Sequence, residues 1–258
     1  MQRIRIIGDG RAGGAMALAL TRAGAEVVSV LSRHDDVAFA AIDVDVVIIA
    51  TPDDAIGEVA SRILPIDTCA IVHLSGSRTL EVLSSHLRRG SLHPLIPLPT
   101  PAIGAERLAA GATFAVAGDP AATELALLLG GRVVEVAEED RARYHAAACV
   151  AANHVVALLG QVERMAGAIG LDLDCFLALT RAAVDDVAEL GPGRALTGPA
   201  ARGDWSTLER HLGAIDEAER SGYSAGVSLA LQVATGLPGM GASVIVEDDA
   251  RSQPVAVA

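Results

Sequence analysis

The narrowest constraint on how this 258-residue chain can fold lies near its amino end. Arg3-Ile4-Arg5-Ile6-Ile7 reads as a short strand, Gly8-Asp9-Gly10-Arg11-Ala12-Gly13 follows it, and Gly14 to Ala23 continues as an Ala- and Leu-rich helix. In a G-x-G-x-x-G turn of this kind, Gly8 permits the tight bend and Gly10 removes a Cβ from the surface of the turn. Gly13 lets helix and strand pack closely. The helix then offers unpaired N–H groups and the positive end of its dipole, which together hold a phosphate. The spacing alone is a weak signal in a chain with 26 glycines. With a strand before it, a helix after it and a second strand from Glu26, it predicts a dinucleotide site in which Gly8, Gly10, Arg11, Ala12 and Gly13 surround a pyrophosphate.

The second strand, Glu26 to Leu31, ends at Ser32-Arg33. An NAD-specific site places Asp or Glu at this point to bind the ribose 2′-hydroxyl, whereas an Arg accommodates a 2′-phosphate. Ser32 and Arg33 therefore favour NADP, with NAD left open because Asp35 and Asp36 are close by. Asp45 to Ala50 is a continuous apolar strand, as in a parallel sheet covered on both faces. It runs into Thr51-Pro52-Asp53-Asp54, where Asp53 or Asp54 is expected to cap a helix ending near Leu64. Ligands of open α/β sheets bind at the carboxyl ends of strands, which puts Ala50, Thr51 and Pro52 beside the cofactor. A strand from Cys69 to Leu74 ends in Ser75-Gly76-Ser77 at the same edge; without the first glycine of a nucleophile elbow, Ser75 reads as a cofactor or substrate contact.

Thr79 to Arg89 is expected to be helical. Ser91-Leu92-His93-Pro94 then enters a proline-rich loop through Pro97, Pro99 and Pro101. Strands at Thr113 to Ala117 and Arg132 to Val136, with a helix at Ala121 to Leu129 between them, complete the sheet. From about Glu138 the pattern is helical: one helix over Asp140 to Gly170, then Asp174 to Leu190, Ser206 to Glu219 and Gly222 to Thr235. A loop from Gly191 to Pro199 continues to Arg202-Gly203-Asp204. The reading is a Rossmann-type, doubly wound, mostly parallel α/β domain over 1–137, an all-α domain over 138–248 for substrate binding and dimerisation, and a disordered tail over 249–258.

The totals exclude several functions. A net charge of −12 with no basic stripe argues against nucleic acid. Mean hydropathy is +0.41, but Ala and Gly carry much of it, and no uninterrupted apolar run reaches the ~20 residues of a membrane span. The chain enters its first strand with no basic and apolar leader, so a cytoplasmic location is expected. Cys69, Cys149 and Cys175 are widely spaced and read as buried reduced thiols. All 20 basic residues are arginine, which excludes a Schiff-base, P-loop or proton-donating lysine.

A dinucleotide-binding half followed by a helical half resembles the superfamily of 6-phosphogluconate dehydrogenases, ketopantoate reductases, prephenate dehydrogenases and pyrroline-5-carboxylate reductases. Within it, the chain is most similar to a bacterial family that pairs a Rossmann-like domain with a helical domain of unknown function 2520. The matching stretches are Gly8 to Gly13, His73-Leu74-Ser75-Gly76, Ser91-Leu92-His93-Pro94, Tyr144 to Ala148 with Asn153, and Leu196 to Pro199 with Arg202-Gly203-Asp204. The resemblance implies a helical domain of the 6-phosphogluconate dehydrogenase carboxyl-terminal type, a homodimer, a nicotinamide cofactor and, through ketopantoate reductase-like members, a 2-oxo acid substrate. The usual ketopantoate reductases and 6-phosphogluconate dehydrogenases carry Lys-x-x-x-Asn on the first long helix. Asn153 matches the asparagine, but Cys149 stands where the lysine should be.

One turn earlier is a substitute. His145, Cys149 and Asn153 at i, i+4 and i+8 drift only ~80° around an α-helix and share a face. A histidine can supply the proton that a carbonyl oxygen needs as hydride arrives, and Asn153 can hold that oxygen. His93 is the rival acid, since prephenate dehydrogenases resemble the chain at a His-Pro, and a helix histidine satisfied by a nearby backbone group is an equally good reading of His145. A zinc site at His145 and Cys149 lacks further ligands, so no metal is assigned. Thr197 and Arg202 are expected to receive a substrate carboxylate, Arg202 through its planar fork unless Asp204 takes it in a salt bridge. The expected function is NADPH-dependent reduction of a small 2-oxo acid such as ketopantoate. The alternatives are an imine reductase of the pyrroline-5-carboxylate type and a dinucleotide-binding protein without chemistry.

Overall fold

The computed structural model describes residues 2–236, and the expected tail over 249–258 lies outside them. The chain divides into two compact units, Met1–His154 and a second beginning at Val155.

In the first unit, β1 (Arg3–Ile7), β2 (Glu26–Leu31), β3 (Val46–Ile49), β4 (Ala70–His73), β5 (Arg89–Pro94), β6 (Thr113–Gly118) and β7 (Arg132–Glu135) form one seven-stranded sheet in the order β2-β1-β3-β4-β5-β6-β7. All neighbours pair in parallel except β5 with β6. Because β2 lies on one side of β1 and β3 on the other, the strand order reverses there, and a crevice opens at their carboxyl ends.

Alternating strand residues feed two cores. Ile4, Ile6, Val46, Ile48 and Val72 pack with Met16 and Leu20 of α1 (Arg11–Arg22) and with Ala105 and Leu108 of α3 (Pro101–Ala109). Ile7, Val47, Ile49 and Ile71 face the other way, onto Ile56 and Ala60 of α2 (Ile56–Arg62) and onto Leu83. α4 (Pro120–Leu128) covers the far end of the first face, capped by the Asp119 side chain. The doubly wound, mostly parallel fold is thus present. Its fifth strand and α3 lie within what reads as a helix and a proline-rich loop. Only one 3-10 turn, Leu80–Leu83, forms where Thr79 to Arg89 was expected to be helical. Arg89–Pro94 is a strand because β4 and β6 pair with it on both sides, and Thr100 caps α3 ahead of Pro101.

The expected single helix over Asp140 to Gly170 is three segments: α5 (Arg141–Cys149), a π-helical stretch (Val150–His154) and α6 (Val155–Gly167). With the turn before it, 138–167 is long and apolar enough on average to cross a membrane by length and composition alone, although no uninterrupted apolar run in it reaches ~20 residues.

The second unit continues with α7 (Asp174–Leu190), the short α8 (Pro192–Ala195) and α9 (Pro199–Arg202), α10 (Trp205–Ala214) and α11 (Glu217–Thr235). The break falls at Ile215-Asp216 instead of after Glu219. Glu219 on α11 holds α6 through a two-point pair with Arg164 at 2.5 and 3.0 Å. The Tyr223 hydroxyl lies 2.7 Å from His211 Nδ1 on α10. Apolar burial is sparse: among the described residues of this unit only Ala166, Ala200, Leu208 and Val227 are buried, and α7 buries none. Of the cysteines, Cys69 alone is buried, its thiol pushed up to about 11 by burial; Cys149 is half-buried and Cys175 exposed, and all three are free.

Candidate functional site

The glycine turn has the shape its sequence requires. Gly8 sits at φ +111° with its N–H donating to the Leu31 carbonyl at 2.7 Å, and a Cβ on it would lie 2.7 Å from the Ala50 oxygen. A Cβ on Gly13 would overlap the Gly8 carbonyl. Gly10, the residue before α1, is different: among the described residues nothing lies within 4 Å of a Cβ built there, and no side chain caps the helix. The first amides of a helix have no intrahelical partner. Here they lie past the carboxyl end of β1, where the strand order reverses, with Arg11 exposed, Ala12 half-buried and no acidic residue in the first turn. Thr51, just past β3, has a buried hydroxyl with no partner among the described residues; Pro52 beside it is exposed. These features fit a dinucleotide diphosphate.

At the end of β2 the fit is contested. The Ser32 backbone N–H and hydroxyl both donate to Asp35 Oδ2, at 2.7 and 2.8 Å, and these bonds hold the Asp35 carboxyl below its usual range. Arg33 is exposed, and its Nε approaches His34 at 3.2 Å. The donors expected for a 2′-phosphate therefore serve a carboxylate, with the guanidinium left at the surface.

Two strands along, a polar cluster gathers at the same edge. Asp53 does not cap α2, whose amino end has no side-chain cap; its Oδ2 instead accepts from Ser75 and Ser77, each at 2.7 Å. Burial raises the Asp53 carboxyl, but the two hydroxyls and the charges of His145 and Arg78 outweigh it and hold the group below its usual range. Ser75 is itself buried, its hydroxyl turned onto Asp53, and its N–H donates to His73 Nδ1 at 3.2 Å. Next to it, a Cβ on Gly76 would lie 2.7 Å from His145 Cδ2 and 2.9 Å from His93 Nε2, so the bare backbone of Gly76 is flanked by two imidazoles.

Those imidazoles come from different elements. His93 is on β5 and not in a loop; His145 is on α5, with ring centroids 5.9 Å apart. The Tyr144 hydroxyl lies 2.7 Å from His93 Nδ1. Burial, then the charges of His145 and Arg141, push His93 down to about 4, so its imidazole is neutral near pH 7. Burial and Arg141 likewise take His73 to about 4. His145 Nε2 is 3.9 Å from Cys149 Sγ, the i,i+4 pair expected of the helix face. Asn153 is exposed within the π stretch. An α-helix advances ~40° for every four residues, and a π turn, which takes more residues per turn, sets that advance back and returns Asn153 toward the azimuth of His145. No group of three or more His, Cys, Asp or Glu side chains able to hold a metal occurs among the described residues.

Arg141, which the sequence did not single out, is the largest fully buried side chain. Its Nη2 donates to the Ser75 carbonyl at 2.7 Å and to the Ser91 hydroxyl at 2.6 Å. The spacing that marks His145 and Cys149 reaches Arg141 one turn earlier, and that was the available signal. In the second unit, Thr197 and Arg202 are exposed, and Asp204 caps α10 through Thr207 and Ser206 instead of pairing with Arg202.

Sheet order, glycine turn and helical second unit define a Rossmann-type α/β fold with an all-α continuation. Residues 112–228 match a family described as Domain of unknown function (DUF2520). No curated protein matches the chain. Solved structures share the fold. Protein TM1727 of Thermotoga maritima is 24% identical at a TM-score of 0.66, and a Bacteroides fragilis protein described as a candidate NADP oxidoreductase, BF3122, is 22% identical at 0.74. Plasmodium falciparum pyrroline carboxylate reductase, solved with NADP bound, is 12% identical at 0.57. In each case 90% of this chain aligns with 98% of the other.

Proposed function

We propose that the chain is an NADPH-dependent oxidoreductase, cytoplasmic and homodimeric, that reduces a small 2-oxo acid, with ketopantoate the first substrate to test. The observation that carries the reading is the uncapped end of α1: free space over Gly10, tight contacts behind Gly8 and Gly13, and a position at the point where strand order reverses. The bound nicotinamide described for the Plasmodium relative supports it.

In this reading Gly8, Gly10, Arg11, Ala12 and Gly13 hold the diphosphate, Arg33 and Ser32 the 2′-phosphate, and Ala50, Thr51 and Pro52 line the nicotinamide side. Bound NADPH supplies a hydride to the carbonyl carbon. The chain supplies the proton for the carbonyl oxygen and the polar setting for the developing charge. His145 is the donor. His93, neutral near pH 7, acts instead as a hydrogen-bonding group oriented by Tyr144. Asn153 holds the oxygen, and Ser75 shapes the pocket floor from within.

The depressed His93 also favours a second reading, an imine reductase, because an iminium substrate arrives already protonated and needs no acid. Loss of NADPH absorbance on adding ketopantoate, and its abolition in His145→Ala, would support the 2-oxo acid reading. Turnover of cyclic imines with His145→Ala unimpaired would support the imine. Calorimetry that detects no uptake of NADPH or NADH would remove both and leave a fold without this chemistry.

Apolar exposure supports the homodimer. Val156 is 70% exposed, Leu179 69%, Ile169 73% and Leu229 61%, in a unit with four buried apolar residues among those described. A helical unit of this size cannot offset its conformational entropy with so small a core. A second copy, present wherever the chain is made, supplies the missing cover. Lipid is a poor substitute for helix 138–167, because its amino-terminal turns are fastened to the sheet through Arg141 and Tyr144.

A further inference from the structure

The guanidinium of Arg141 ties together the two backbone segments that carry the reactive groups. Its Nη2 reaches the carbonyl of Ser75, the residue before Gly76, and the hydroxyl of Ser91, two residues before His93. Arg141 is also the residue from which α5 rises to Tyr144 and His145. One fully buried cation thus fixes the loop after β4, the strand β5 and the first turn of α5. Its Nε and Nη1 have no partner among the described residues, and no carboxylate there lies within ion-pair distance of it. A buried charge left without a counter-ion is costly, and replacement by apolar residues often stabilises a protein. Its presence here calls for a purpose other than stability.

We propose that Arg141 is a positioning residue, whose grip on Ser75 and Ser91 sets the gap between the His93 and His145 imidazoles. The inference rests on the proposed reductase for its kinetic consequence, but its structural part stands without a substrate. His93 faces Tyr144, His145 and Arg141 from α5 and Asp53 from the loop after β3. Of these, Arg141 is the group held in place on three elements at once. Burial first, and then the charges of His145 and Arg141, keep His93 an uncharged hydrogen-bonding group, and proton donation is left to His145.

Two substitutions separate grip from charge. Arg141→Lys keeps the charge but replaces a planar fork by a single point; Arg141→Gln keeps an amide donor but removes the charge. Histidine-resolved NMR titration of the full chain without ligand should place His93 near pH 4 in the unaltered protein and in Arg141→Lys. In Arg141→Gln it should rise, yet stay below the ordinary value of about 6.5, because burial and His145 still act on it. In NADPH turnover both variants should lose about tenfold or more in kcat with little change in KM for NADPH. Should Arg141→Gln fail to fold, Ser91→Ala removes one of the two anchors; it should shift the His93 resonances and lower kcat severalfold. A His93 midpoint that is unmoved in Arg141→Gln, or unshifted His93 resonances in Ser91→Ala, would overturn the proposal. Absence of NADPH binding by the unaltered protein would remove the reductase reading and leave the titration as the deciding measurement.

Discussion

Acidification from pH 7 to pH 5 should destabilise this protein through His73 and His93. His73 is fully buried, and its Nδ1 accepts a hydrogen bond from the Ser75 N–H, so the ring must be neutral and cannot take a proton on that nitrogen without losing the bond. Its pKa is about 4, chiefly from burial and secondly from Arg141, against about 6.5 in an unfolded chain. Between those values the unfolded chain binds a proton that the folded one refuses, so stability rises with pH. The contribution is complete above about 6.5 and is lost as pH falls toward 4. For a shift of this size, linkage gives a loss of about 2 kcal/mol between pH 7 and pH 5, and His93, also at about 4, adds a similar amount. About 4 kcal/mol is a large share of a typical folding free energy of roughly 5–15 kcal/mol. The depressed carboxyls of Asp35, Asp53, Asp119, Asp204 and Glu219 act in the same direction, binding fewer protons folded than unfolded, but their contribution is lost only below about pH 5, outside this window. The assay is urea unfolding by circular dichroism at pH 7, 6 and 5, for the unaltered chain and for His73→Asn, whose amide oxygen can replace Nδ1 as acceptor without titrating. The variant should show a pH dependence flatter by about 2 kcal/mol over that range. Parallel curves for the two proteins would refute the reasoning.

Other outcomes follow from the same geometry. Gly10→Ala should leave the urea midpoint nearly unchanged, since its Cβ meets nothing within 4 Å, while weakening NADPH binding in calorimetry by tenfold or more; Gly13→Ala should lose both stability and binding, because its Cβ overlaps the Gly8 carbonyl. Asp35→Asn should tighten NADPH about fivefold and leave NADH unchanged, because it removes a carboxylate from the Ser32 donors. Equal effects on the two cofactors would show that the 2′-phosphate lies elsewhere. Sedimentation should give a dimer for the unaltered chain and either monomer or aggregate for Leu179→Glu, which puts a charge on a face of α7 that has no cover among the described residues; a monomeric unaltered protein would undo the dimer.

Residue pattern alone determines what depends on neighbours along the chain. The apolar strands at β1, β3 and β4, the glycine turn, α1 and α4 are legible because a period of two or 3.6 residues and a glycine's missing Cβ are local properties. So is the pairing of His145 with Cys149 one helical turn away. Tertiary structure decides what depends on residues far apart in sequence. Arg89–Pro94, with its glycine, proline and histidine, has no strand pattern of its own and becomes β5 because β4 and β6 offer it partners on both sides. Asp53 looks like a helix cap, yet two serines across the loop after β4 compete for it more effectively. Arg141 carries no periodic signal of burial, and it is buried where a carbonyl 66 residues away and a hydroxyl 50 residues away are brought to it. The dinucleotide cradle is thus a local property of the chain. The histidine cluster exists only once the sheet has set its strand ends side by side, because hydrogen bonding and burial act through space and carry no periodic trace in the sequence.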